Sequence, residues 1–102
     1  MSWASRAIEV LATGQPATLI PHGNSMRPRI ESGATVVVRP LLPDEPSVGD
    51  AVLVKVRGNV YLHIVQAIKG KAEKIQYLIG NNHGGLNGWA SRSSVYGKVV
   101  EP

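Results

Sequence analysis

Hydrophobic positions along the chain follow two different periods. Over residues 2–13, Trp3, Ala7, Ile8, Val10 and Leu11 fall within one arc of a 3.6-residue wheel, and Ser2, Ser5, Arg6 and Glu9 fall outside it. The spacing predicts a short helix over 2–13, ended by Gly14 and Pro16. Beyond it the pattern is that of strands. "ATLI" (17–20) is short and apolar, and "ATVVVRP" (34–40) is β-branched and stops at a proline. "LLPDEPSVGD" (41–50), with two prolines and three acids, reads as a surface loop.

The next segment is the most regular. "DAVLVKVR" (50–57) alternates, Gly58-Asn59 is a two-residue hairpin signal, and "VYLHIVQAI" (60–68) returns. Such a loop sets Arg57 opposite Val60, Val56 opposite Tyr61 and Val54 opposite His63. Opposed residues share a face. His63 is therefore expected on the face of Val52, Val54, Val56, Tyr61 and Val65, with Lys55 and Arg57 on the other. A turn around "KGKAEK" (69–74) leads to a strand "IQYLIG" (75–80), then a loop "NNHGGLNGWASRSS" (81–94) and a last strand "VYGKVV" (95–100). One helix and five or six strands make a small, mainly β domain. The chain reads as one domain over 1–102, with a helix and linker over 1–16 and a β core over 17–102.

Composition narrows the function classes. Of 102 residues, 43% are hydrophobic, and 11 Gly and 7 Pro without a repeat mark a turn-rich globular chain. There is no cysteine, which excludes disulfides, thiolate metal sites and cysteine nucleophiles. No apolar run approaches the roughly 18–20 residues that span a bilayer, and the N-terminus lacks an apolar signal core. A cytoplasmic chain with no membrane association is expected. The net charge of +4 is scattered, so a nucleic-acid partner is not expected. His22, His63 and His83 have no carboxylate at ligand spacing, so neither a metal nor a cofactor is expected.

The candidate chemistry lies in "GNSMRPRI" (23–30) and on the returning hairpin strand. Serine needs a base within about 2.6–3.2 Å to become a nucleophile. His63, on a rigid strand and with an ordinary pKa of about 6.5, suits that role near neutrality. Gly23 would allow a tight backbone approach, Pro28 would stiffen the chain, and the Ser25 N–H could face a developing oxyanion. Taken singly, Ser25 reads as a turn residue and His63 as a hydrogen-bonded core side chain. Asp50 is expected to hold turn amides at its strand start, the Asn87-Gly88 pair to make a turn, and Trp89 to anchor the core or line a groove.

Together these stretches resemble a known superfamily. "GNSMRPRI" resembles the G-x-S-M-x-P nucleophile box of signal peptidases and of LexA-type self-cleaving repressors, with Met26 and Pro28 at its fixed positions. "VGDAVLVKVRGNVYLHIV" (48–65) resembles the second box, where Gly49-Asp50 opens a strand and the hairpin returns with the catalytic base. His63 stands at the offset from Asp50 where LexA-type members carry lysine. "YLIGNNHGG" and "YGKVV" resemble the closing segments. The resemblance implies a small LexA/signal-peptidase-like, β-barrel-like fold with one short N-terminal helix, and a serine endopeptidase with a Ser25–His63 dyad acting on a peptide or protein substrate.

This sequence departs from the family at several points. Members with histidine use an Asp after the base strand, whereas here Gly80 is followed by Asn81 and Asn82, either of which could orient the ring. Asn24 is a further candidate beside the serine. Gly23 leaves no hydroxyl to aim at the oxyanion. Neither a membrane helix nor a DNA-binding domain precedes the serine box, so the catalytic core alone is expected. A scaffold that binds peptides without cutting them is the alternative. Exposed strand edges are compatible with a dimer.

Overall fold

The computed structural model describes residues 3–101. One helix and seven strands follow in order: α1 (Ser5–Ala12), β1 (Ala17–Leu19), β2 (Val36–Arg39), β3 (Ala51–Val56), β4 (Asn59–Lys69), β5 (Gln76–Gly80), β6 (Leu86–Ser91) and β7 (Val95–Val100). The strands form one antiparallel sheet in the order β1-β2-β7-β3-β4-β5-β6. The mainly β class with one short helix therefore holds. No helix among the described residues is long and apolar enough to cross a membrane.

Alternation along the central strands gives the sheet two apolar faces. On one, Leu53, Leu62, Ile64, Val38 and Val99 pack beneath Ala4, Ala7 and Leu11. On the other, Val52, Val54, Val56, Val65, Tyr77 and Ile79 fill the concave side, where the sheet coils until β6 packs back against β3. Gly97 lets the helix sit close. A Cβ there would come within 2.5 Å of the Arg39 carbonyl oxygen and 3.2 Å of Leu11 Cδ2. The helix is shorter than its predicted span, and the Ser2 end of that span lies outside the described residues. Trp3 leaves the predicted apolar arc and is 52% exposed, because the wholly buried Ala4 takes the position against the sheet.

Two further differences bear on the site. The hairpin turn is Arg57-Gly58, with φ of 50° and 84°, and Asn59 pairs with Val56. This is the φ > 0 pair that a two-residue turn matching strand twist requires. His63 thus lies opposite Val52 rather than Val54, a shift that preserves its face. The second difference is β6, which occupies part of the predicted 81–94 loop. It buries only Ala90, and its apolar residues Leu86, Trp89 and Ala90 do not alternate, so it lacks the period-two signal of a strand.

The 41–50 loop is tied down by charge. Arg39 forks onto both Glu45 carboxylate oxygens at 2.7 Å, the Leu42 N–H donates to the same group at 2.9 Å, and Lys98 reaches it at 3.3 Å. Asp50 accepts the Ser47 N–H at 2.8 Å and pairs with Lys98 at 3.1 Å. The Arg39 fork above all holds the Glu45 carboxyl at a pKa of about 2, against an ordinary 4.5. A group whose folded pKa is depressed stabilises the fold above its unfolded pKa, and that contribution is lost as pH falls towards the folded value. Glu45→Gln should therefore cost about 1–3 kcal/mol near neutrality, with the deficit shrinking from about pH 5 to about pH 2. Urea melts of both proteins across that range are the check; a constant deficit would rule out the charge-based account.

Candidate active site

The serine stands on the irregular link between β1 and β2. Met26 and Ile30, 5% and 7% exposed, sink into the helix-side core one turn apart, and the Ile30 N–H donates to the Met26 carbonyl at 2.9 Å. This explains the methionine beside the serine: it anchors the loop while Arg27, Pro28 and Arg29 remain outside. Arg29 adds a fork to Glu101 at 2.7 and 2.8 Å. Gly23 is needed for its φ of 108°. The close approach expected there is not found, since a Cβ on Gly23 would meet nothing within 4 Å.

His63 comes from β4, 38 positions along the chain, and its Nε2 lies 3.1 Å from Ser25 Oγ. Its Nδ1 lies 2.6 Å from Asn87 Oδ1. The Tyr61 ring stacks on the imidazole, centroids 4.8 Å apart at 22°. An amide oxygen accepts only, so Nδ1 carries the proton and the Nε2 lone pair faces the serine hydroxyl. Burial, partly offset by the Asn87 hydrogen bond, pulls the His63 pKa below its ordinary 6.5. The ring is thus neutral at neutral pH. Lys55 is exposed and belongs to the opposite face of the hairpin.

The asparagines singled out from the sequence are placed otherwise. Asn81 Oδ1 accepts the His83 and Gly85 N–H groups at 2.8 and 2.9 Å, closing its own turn. The Asn82 N–H donates to the Ser25 carbonyl at 2.8 Å, and its Nδ2 donates to the Arg27 carbonyl at 3.1 Å. The Asn24 carbonyl accepts His83 Nε2–H at 2.9 Å. Asn24 and Asn82 join the serine loop to the 80s loop, Asn81 closes its own turn, and none of the three hydrogen-bonds to the His63 ring. The ring's partner is Asn87, which sequence reasoning treated as half of an Asn-Gly turn. Its signal was hidden with the unrecognised strand β6, where the register against β5 shifts between Gly88, opposite Ile79, and Leu86, opposite Gly80, and leaves Asn87 without a partner on β5. Among the described residues no three His, Asp or Glu side chains converge as a metal site would require. Trp89 neither anchors the core nor lines the cleft; it is 38% exposed beneath Lys69 Nζ, 4.2 Å from its ring centre.

Ser25 and His63 lie on the wall of a cleft of about 330 Å³. One side is formed by residues 20–23, the other by residues 60–63 of β4, and Met26 and Ile30 contribute apolar lining. β4 pairs with β3 along 59–64 but with β5 only from Ile64 onward. Among the described residues, 60–63 therefore have one main-chain edge that no strand takes up.

Residues 8–84 match the family model described as Peptidase S24-like. No curated protein and no solved structure matches the chain. The matched stretch contains both boxes on which the resemblance to LexA-type and signal peptidases was drawn; it ends before Asn87 and begins after Trp3. On that match, which covers most of its length, the chain belongs to the Peptidase S24-like family.

Proposed function

We propose that this chain is a serine endopeptidase acting on a peptide or protein bond through Ser25 and His63, with Asn87 holding the base. The observation that carries the reading is the run of two hydrogen bonds, Ser25 Oγ to His63 Nε2 at 3.1 Å and His63 Nδ1 to Asn87 Oδ1 at 2.6 Å. As Ser25 Oγ bonds to the peptide carbonyl carbon, its proton passes to Nε2. The imidazolium returns that proton to the leaving amine, the C–N bond breaks, and an acyl ester remains on Ser25. Water, deprotonated by the same nitrogen, hydrolyses the ester and restores the hydroxyl. The Ser25 N–H has no acceptor among the described residues, which leaves it available to the carbonyl oxygen as that atom gains charge. An extended substrate would pair with the free edge of β4.

The alternative, a scaffold that binds without cutting, draws on Asn87 itself. An amide orients an imidazole but adds no negative charge beside the imidazolium. Turnover of a peptide library by wild type, Ser25→Ala and His63→Ala separates the two. Cleavage should fall by about 10²–10⁴ in the His63 variant and be abolished with Ser25→Ala, with melting temperatures retained. Equal turnover in all three would remove the pair from the chemistry, and peptide binding with no cleavage in any would select the alternative.

The pH profile gives a second prediction. Because burial lowers the His63 pKa, the acid limb of kcat/KM should lie below the ordinary 6.5. Asn87→Asp places a carboxylate against Nδ1 and should raise that pKa. The limb then moves to higher pH with it. Titration of the His63 ring by NMR reads the shift without reference to activity, and an unmoved pKa in the Asp variant would show that position 87 does not hold the ring.

A further inference from the structure

The cleft has a wall that neither box contains. Trp3 lines it together with Ser25 and His63, although it lies outside the family match and ahead of α1. Its place is set by its neighbour: Ala4 is 0% exposed against the sheet and its carbonyl accepts the Ile8 N–H at 3.0 Å. The indole is 52% exposed, a large apolar surface left open beside a nucleophile rather than folded into the core. Ile20, Met26, Ile30 and Leu62 continue the apolar lining. Glu31 is the one carboxylate there, and Arg27 already pairs with it at 2.6 Å. The lining therefore offers a charged side chain no unpaired counter-charge, while it offers an apolar one surface to cover.

We infer that Trp3 is a specificity-determining wall of this cleft, selecting an uncharged extended peptide with a bulky apolar side chain close to the bond held at Ser25. The free β4 edge supplies main-chain pairing that is blind to side chains, and discrimination falls to the walls. The inference rests on the cleft being the peptide site, and its test separates it from the hydrolytic reading.

Ser25→Ala in a Trp89→Phe background keeps peptides uncut and leaves Trp3 as the one remaining indole of two. The probes are short capped peptides of Ala and Ser in which one Leu is moved through every position, with a matched set carrying Lys. Calorimetry should find one or two positions where Leu binds about tenfold tighter than Lys or Ser, and those peptides should shift the Trp3 emission. Trp3→Phe should keep the preference and Trp3→Ala should lose it, both with unchanged melting temperatures. An equal Leu preference in Trp3→Ala, or no emission change with any peptide, overturns the inference. Cleavage by wild type without Leu preference also overturns it while the hydrolytic reading stands. Leu-selective binding with no cleavage supports it and defeats hydrolysis instead.

Discussion

The contact on which the site depends joins two irregular loops, backbone to backbone: the Asn82 N–H on the Ser25 carbonyl, at 2.8 Å. Neither loop has a ladder of its own to fix it. The serine loop reaches the core only through Met26 and Ile30, and the 80s loop closes on itself through Asn81. Asn82 Nδ2 and His83 Nε2 extend the join to the Arg27 and Asn24 carbonyls. A hydroxyl on such a loop would otherwise sample many positions, and a hydrogen bond to a base is worth little if the donor wanders. Here the donor is held from below by buried side chains and from the side by amides. The imidazole arrives on a strand, so it is the rigid member of the pair.

This division of labour explains which parts of the site were legible in the sequence. His63 could be placed because period-two alternation fixes a side chain's face, and even the displaced turn at Arg57-Gly58 moved its partner without moving its face. Ser25, a turn residue when taken singly, could be nominated because Gly23, Met26 and Pro28 around it resemble the nucleophile box of the superfamily. The asparagines could not be sorted. Asn24, Asn81, Asn82 and Asn87 are chemically identical, and only the path of the backbone decides which amide meets the ring. That path runs through β6, a strand that buries a single alanine. Apolar periodicity is the signature of burial, so a strand that buries almost nothing leaves almost none. Trp3 failed for the opposite reason: its hydrophobicity suggested the core, but Ala4 was the residue that fitted beneath the helix.

The neutral third residue gives the site a distinct electrostatic character. Desolvation and the absence of a carboxylate both favour the uncharged imidazole, so the resting tautomer is well defined. The same two conditions would give little help to an imidazolium, were the serine to give up its proton to the ring. Four of the seven acidic side chains are held in ion pairs, Glu45 and Asp50 with Arg39 and Lys98, Glu101 with Arg29 and Glu31 with Arg27, and only Glu31 among the seven lines the cleft. Proton transfer in this cleft would thus rely on alignment and on stabilising the oxyanion more than on a counter-ion for the base.

Strand length supplies the last step. β4 has 11 residues, whereas β3 has 6 and β5 has 5, so β4 cannot be covered on both sides along its whole length. β3 covers the half that begins at the hairpin and β5 covers the half that ends at Lys69, with Ile64 common to both. Two main-chain edges are left over, one on each side: at 66–69 beyond β3, and at 60–63 before β5, where His63 is the last residue. An unpaired edge is ordinarily a hazard that invites another strand. The 60–63 edge is partly enclosed by residues 20–23 and Trp3, so that what can pair with it must be narrow, extended and suited to apolar walls. The mismatch in strand lengths therefore places an accessible edge beside the imidazole, and the loops around it restrict what reaches the serine.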